Sequence, residues 1–181
     1  MLIKKIPLAG KTPNSFNVIV EVPAESLCPV KYELDKDSGA LFVDRFIATS
    51  MRYPCNYGFV PNTLSDDGDP IDVLVITEYP LLAGAVIPSK PIGVLIMEDE
   101  KGGDEKIIAV PTEKMNSEYS TLDEIAQVPE ILLNKIKHFF EHYKDLEKGK
   151  WVKVSGFKNS TEAKKKIQEA IERSKLPQEE N

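Results

Sequence analysis

Between Ser65 and Val73 the chain reads S-D-D-G-D-P-I-D-V, and four aspartates, Asp66, Asp67, Asp69 and Asp72, stand just ahead of an apolar run. Carboxylates crowded within about 10 Å repel one another unless positive charge sits among them. Three kinds of chemistry suit such a cluster: an acidic turn, a calcium loop, or a catalytic cation site. As a calcium loop starting at Asp67, it would place Ile71 where an oxygen ligand belongs and Asp72 where the sharp turn needs glycine. As a cation site, Gly68 permits a tight bend and Pro70 stiffens it, so that Asp67, Asp69 and Asp72 point at one small volume. Aspartate oxygens without Cys or His suit hard ions such as Mg²⁺ or Mn²⁺.

A second acidic stretch, Glu98 to Lys106, surrounds the turn Lys101-Gly102-Gly103. Asp99 and Asp104 repeat the five-residue separation of Asp67 and Asp72. Two such turns facing each other would hold two or more divalent ions. No G-x-S-x-G elbow is present, and neither cysteine has an evident activating partner. Water activated by a cation is then the strongest available nucleophile. Lys31, Arg45 and Lys144, with the phenols Tyr57 and Tyr143, are suited to gripping phosphate oxygens. Acid to hold metal and base to hold phosphate imply phosphoryl transfer to water. Each of these charged residues, taken singly, also reads as the wet face of an antiparallel sheet. Glu21 is the least ordinary, because it interrupts a run of valines and isoleucine.

The elements that must position these groups are mostly strands. Phe16–Val22, Val30–Leu34, Ala40–Ile47, Asp72–Thr77, Ile92–Met97 and Lys106–Val110 are rich in β-branched and aromatic residues. Lys36-Asp37-Ser38-Gly39 marks a turn and Lys101-Gly102-Gly103 a hairpin turn, and prolines punctuate the other connections. Helices come late. Thr121-x-x-Glu124 reads as a capping box, and Pro129 opens a longer helix with Leu132, Ile136, Phe139 and Tyr143 at helical spacing. Trp151–Ser155 alternates as a last strand, and Asn159 or Ser160 caps a final helix reaching about Ser174. Short strands followed by grouped helices predict an α+β fold: a small antiparallel barrel with C-terminal helices packed on it.

With 181 residues, the chain is expected to form one domain over 1–181, with a core at about 17–157 and extensions at about 1–12 and 175–181. A net charge of −6 argues against sequence-independent nucleic-acid binding, which needs a basic surface. No apolar run long enough to span a membrane and no leader-like segment is seen. Cys28 and Cys55 match no zinc spacing, which fits a reduced, cytoplasmic setting. His138 and His142 stand four apart on a predicted helix, but the order H-E-x-x-H is absent, and packing or a subunit contact is the expectation. Lys164-Lys165-Lys166 reads as a solvated face.

Several of these stretches together resemble the soluble family I inorganic pyrophosphatases, in their bacterial branch. Asp67-Gly68-Asp69-Pro70-Ile71-Asp72-Val73 matches the family signature at every position. K-Y-E-L-D-K at 31–36, G-A-L-F-V-D-R-F at 39–46, Y-P-C-N-Y-G-F at 53–59 and H-Y-K-D-L-E-K-G-K-W at 142–151 are similar to it as well. The resemblance implies a five-stranded OB-like barrel, hexamers, Mg²⁺ as cofactor, and hydrolysis of pyrophosphate by in-line attack of metal-bound hydroxide. It implies metal ligation by Asp67, Asp72, Asp99 and Asp104, with Glu21 and Glu33 nearby. It gives Asp69 the role of base, with Tyr57 and Arg45 also catalytic. Lys31, Arg45, Tyr57, Lys106, Tyr143 and Lys144 are implied to hold phosphate, and Tyr53 to support the site. Two other readings remain open at the sequence level: hydrolysis of a different phosphoanhydride, and a non-catalytic OB-type binding module.

Overall fold

Alternation decides how the central strands are buried. In a computed structural model, which describes residues 5–8 and 12–176, strand β5 (Asp72–Val75) and strand β8 (Lys106–Pro111) are apolar on both faces. Val73, Val75, Ile107 and Ala109 face one core, and Leu74, Ile108 and Val110 face another. The first core is closed by helix α2 (Ser160–Ser174) through Ala163, Ile167, Ala170 and Ile171. The second is closed by helix α1 (Glu130–His142) through Ile136, Phe139 and Phe140. Each set follows the three-to-four residue spacing of one helix face. The period-2 sheet is thus covered on both sides, so its strands read as continuous apolar runs.

The strands close into a ring. β1 (Phe16–Val22) pairs with β4 (Asn56–Phe59), which pairs with β5, then β8, then β6 (Val86–Asp99), and β6 returns to β1. This five-membered ring is the expected small barrel. β6 runs well beyond the expected Ile92–Met97, because its first residues pair with β1 and its last carry the two-residue β7 (Gly102–Gly103) and β9 (Val152–Asn159). Among the described residues all pairings are antiparallel except one. β5 and β8 run parallel, with Asp72 opposite Lys106 and Val75 opposite Ala109. The excursion through β6 and β7 reverses the chain twice, so β8 returns in the direction of β5. Local patterning identifies strands but not their partners.

β4 is a strand that the sequence pattern does not announce, because Asn56 and Gly58 are poor strand formers. Gly58 is there for space. A Cβ at that position would lie 1.9 Å from the carbonyl oxygen of Ile19 in β1. A second, two-stranded sheet, β2 (Val30–Leu34) with β3 (Leu41–Phe46), pairs Lys31 with Arg45. The expected capping box at Thr121 sits three residues further on. Glu124 and Gln127 exchange the reciprocal bonds around a 3-10 turn at Ile125–Gln127, and Thr121 ends a separate 3-10 turn. Glu124 also accepts from the Ser160 hydroxyl at 2.6 Å and the Ser160 amide at 3.0 Å, fastening the start of α2. Asn159 caps that helix by accepting from the Glu162 amide at 3.1 Å. The expected extensions lie largely outside the described residues.

Candidate active site

The site forms where strand ends and turns meet. Glu21 comes from β1, Lys31 and Glu33 from β2, Arg45 from β3 and Tyr57 from β4. The loop between β4 and β5 carries Asp67 and Asp69, and Asp72 opens β5. Asp99 ends β6, Asp104 follows β7, Lys106 opens β8, and Tyr143 and Lys144 follow the last turn of α1. All fourteen candidates singled out in the sequence, Tyr53 included, line one cleft.

The parallel register is what brings the two acidic turns together. With Asp72 opposite Lys106, the Lys106 ammonium donates to both Asp72 and Asp104. Lys106 is 4% exposed. Burial alone would push its pKa down, but Asp72 and Asp104 outweigh that and hold it well above the usual lysine value. Lys144 repeats the arrangement, donating to Asp99 at 2.7 Å and reaching Glu100 at 3.4 Å. Burial pushes Asp99 up, yet the hydrogen bonds from Lys144 and the Lys101 amide keep its carboxyl below the usual value. Lys31 pairs with Asp44 at 3.0 Å, and Arg45 bridges Asp44 and Glu147, each at 3.1 Å.

The remaining carboxylates are crowded. Glu21 is 5% exposed and accepts the Leu34 amide at 2.8 Å. Burial, with Asp72 and Glu33 adding to it, pushes its pKa up to about 7 against the opposing pull of that hydrogen bond and Lys31. Asp67 is raised by burial and by the charges of Asp69, Asp72 and Asp104, although it accepts the Asp69 amide at 3.1 Å. These groups resist a further negative charge and favour an added positive one.

The floor is aromatic. Tyr53 lies 5.0 Å from Tyr57 and 4.5 Å from Phe139, ring centre to ring centre, and Phe139 stacks on Tyr143 at 5.1 Å. Burial raises the pKa of Tyr53 and Tyr57 well above the ordinary phenol value and raises that of Tyr143. All three therefore stay protonated near neutrality and serve as hydrogen-bond donors.

The donor set is carboxylate oxygen, which suits a hard divalent ion. Among the described residues, however, no three carboxylate or imidazole groups already close into a coordination shell. The Lys106 ammonium lies between Asp72 and Asp104, and the Lys144 ammonium lies beside Asp99 and Glu100.

Sequence reasoning passed over several residues of the cleft. Lys36, in the turn after β2, contacts Asp69 at 2.9 Å. Lys150 pairs with Glu100 at 2.7 Å. Both lie inside stretches quoted for the family resemblance, which was the available signal. Lys166 is less solvated than its lysine run suggests, since it contacts Glu105 at 2.6 Å. His138 and His142 are exposed, with their rings tilted against each other at 4.6 Å and Asp145 at 2.8 Å from His142.

Comparison with known proteins bears on this cleft. A family model described as inorganic pyrophosphatase matches residues 18–175. A relative from Rickettsia prowazekii (strain Madrid E), called inorganic pyrophosphatase, is 57% identical over 174 residues, covering 96% of this chain and 100% of the relative. Among solved structures, one from Anaplasma phagocytophilum described as an inorganic phosphatase superposes with a TM-score of 0.92 at 47% identity, covering 95% of this chain and 100% of the other. The inorganic pyrophosphatase of Thermus thermophilus gives 0.90 at 43% identity, covering 97% and 100%.

Proposed function

The chain belongs to the inorganic pyrophosphatase family and hydrolyses inorganic pyrophosphate to two phosphates, and we propose that the fourteen candidate residues in its cleft divide that work between them. The observation that carries the assignment is the meeting of the two acidic turns across Lys106, with phenols and further cations beside them.

A divalent cation, Mg²⁺ with Mn²⁺ as the alternative, would be held by Asp67, Asp72, Asp99 and Asp104 with Glu21 and Glu33 beside them, and it supplies Lewis-acid activation of water and neutralisation of phosphate charge. Asp69 accepts the proton of the attacking water. Its carboxylate suits that task, because it is exposed at the loop tip and within reach of solvent. Arg45 offers a planar pair of donors to phosphate oxygens. Lys31, Lys106 and Lys144 add positive charge, and Tyr57 and Tyr143 donate phenolic protons. Tyr53 supports Tyr57 through ring contact. In the chemical step the water oxygen bonds to one phosphorus as the bridging P–O bond opposite it breaks. The electron pair leaves with the second phosphate, whose charge the lysines and Arg45 take up.

The test is steady-state phosphate release from pyrophosphate with Mg²⁺, with Mn²⁺ and with EDTA, for the wild type and for Asp69→Asn and Asp72→Asn. The expected result is loss of turnover in EDTA and in both variants. Full activity in both variants ends the assignment. A panel of nucleotides and short polyphosphates separates pyrophosphate from other phosphoanhydrides. Residues 1–181 are taken as one domain, assembled as a homohexamer in the cytoplasm. Sedimentation at two protein concentrations tests the assembly.

A further inference from the structure

Helix α2 contributes nothing to the cleft lining, yet it grips both acidic turns. Arg173 donates from Nη1 to the Leu64 carbonyl at 2.6 Å and pairs from Nη2 with Asp66 at 2.6 Å. The Leu64 amide in turn donates to the Ala170 carbonyl at 2.9 Å, and the Ser174 hydroxyl is shared between the carbonyls of Ile171 at 2.8 Å and Asn62 at 3.0 Å. The stretch 62–66 is therefore stitched to the last turns of α2, one residue before Asp67. Two turns earlier, Lys166 donates to Glu105 at 2.6 Å. Glu105 stands between Asp104 and Lys106. Lys166 and Arg173 are seven residues apart, on the same helix face and about 10 Å apart along the axis.

We infer that α2 acts as a ruler for the active site: Arg173 and Lys166 are positioning residues that set the separation of the two carboxylate turns. Exposed ion pairs add little stability by themselves. The Arg173 contact differs because one planar guanidinium binds a backbone carbonyl and a carboxylate of the same short segment, which fixes direction as well as distance. The helix face beneath these cations is anchored by Ala163, Ile167, Ala170 and Ile171, which share one core with Val73 and Val75 of β5, Val94 of β6, and Ile107 and Ala109 of β8. Groups bonded directly to metal ligands typically change metal affinity 10–100-fold when removed, and Arg173 and Lys166 act one residue further out, through Asp66 beside Asp67 and Glu105 beside Asp104. The inference rests on the proposal that Asp67, Asp72, Asp99 and Asp104 hold the cation.

The experiment is isothermal titration of Mg²⁺ into the full-length protein, with urea unfolding in EDTA as the structural control. Arg173→Met is expected to weaken Mg²⁺ at least tenfold, and Lys166→Met severalfold, with Arg173→Lys recovering part of the loss. Lys165→Met, on the same helix but paired with Glu162 and Glu169 of that helix, is expected to bind as wild type. Asp66→Asn tests the same contact from the loop side if Arg173→Met does not fold. Asp72→Asn calibrates the underlying reading. If Asp72→Asn loses Mg²⁺ while Arg173→Met, or Asp66→Asn in its place, and Lys166→Met bind normally, the ruler is wrong and the metal assignment stands. If Asp72→Asn binds as wild type, the metal assignment itself fails.

Discussion

Replacing Lys106 by methionine tests the electrostatic logic of the cleft. The side chain is 4% exposed, and its ammonium is shared by Asp72 and Asp104. Methionine keeps most of the apolar stem and deletes the charge. Two carboxylates are then left facing each other in a shielded place. Breaking a buried ion pair from one side costs about 3–5 kcal/mol. At about 2–4 °C per kcal/mol for a domain of this size, the melting temperature in EDTA should fall by about 10 °C. Mg²⁺ should then narrow the gap, because a cation near Asp72 and Asp104 replaces the missing positive charge. Narrowing follows if the variant binds Mg²⁺ more tightly than the wild type, each tenfold in affinity adding about 1.4 kcal/mol at saturation. Turnover should stay low even with Mg²⁺, since the phosphate grip of Lys106 is gone. The assay is thermal melting at fixed protein concentration, in EDTA and in saturating Mg²⁺, beside phosphate release. Adding Asp72→Asn to Lys106→Met should recover part of the EDTA loss by removing one of the repelling charges. A variant melting within about 2 °C of wild type in EDTA, or a gap that Mg²⁺ leaves unchanged, refutes the reasoning.

Other perturbations have equally definite outcomes. Gly58→Ala places a Cβ 1.9 Å from the Ile19 carbonyl oxygen, so β1 and β4 must separate. The expected loss is at the upper end of, or beyond, the 1–3 kcal/mol typical of overpacking, read as a lower urea midpoint or insoluble protein. Phe139→Ala should cost about 3–5 kcal/mol by opening a cavity, and should lower kcat as well, because Tyr53 and Tyr143 both rest on that ring. Glu21 titrates near 7 in the fold against 4.5 when free, so its contribution to stability is full below about 4.5 and is lost as pH rises through about 7. Glu21→Gln keeps the acceptor for the Leu34 amide and cannot ionise. In EDTA, it should gain on the wild type between pH 5 and pH 8, by no more than about 3 kcal/mol. Urea midpoints at the two pH values decide it.

Much of the site could be read along the chain. The spacing in Asp67-Gly68-Asp69-Pro70-Ile71-Asp72 and the repeat at Asp99 and Asp104 already select oxygen-ligand chemistry, because residue type alone determines which ions a donor set suits. Runs of β-branched and aromatic residues marked β1, β2, β3 and β5, helical spacing marked the face of α1, and a cap residue marked the start of α2, because these are local properties of the chain. The tertiary structure decided what depends on partners distant in sequence. β4 is a strand because Gly58 fits beneath β1, which its own composition does not favour. β5 and β8 are parallel because the chain turns back through β6 and β7. That register alone puts Lys106 between Asp72 and Asp104, and the packing of α2 alone carries Lys166 to Glu105 and Arg173 to Asp66. Charge pairing falls off over a few ångströms, and distances of that order between residues 34 or 107 positions apart exist only once the strands and helices have closed.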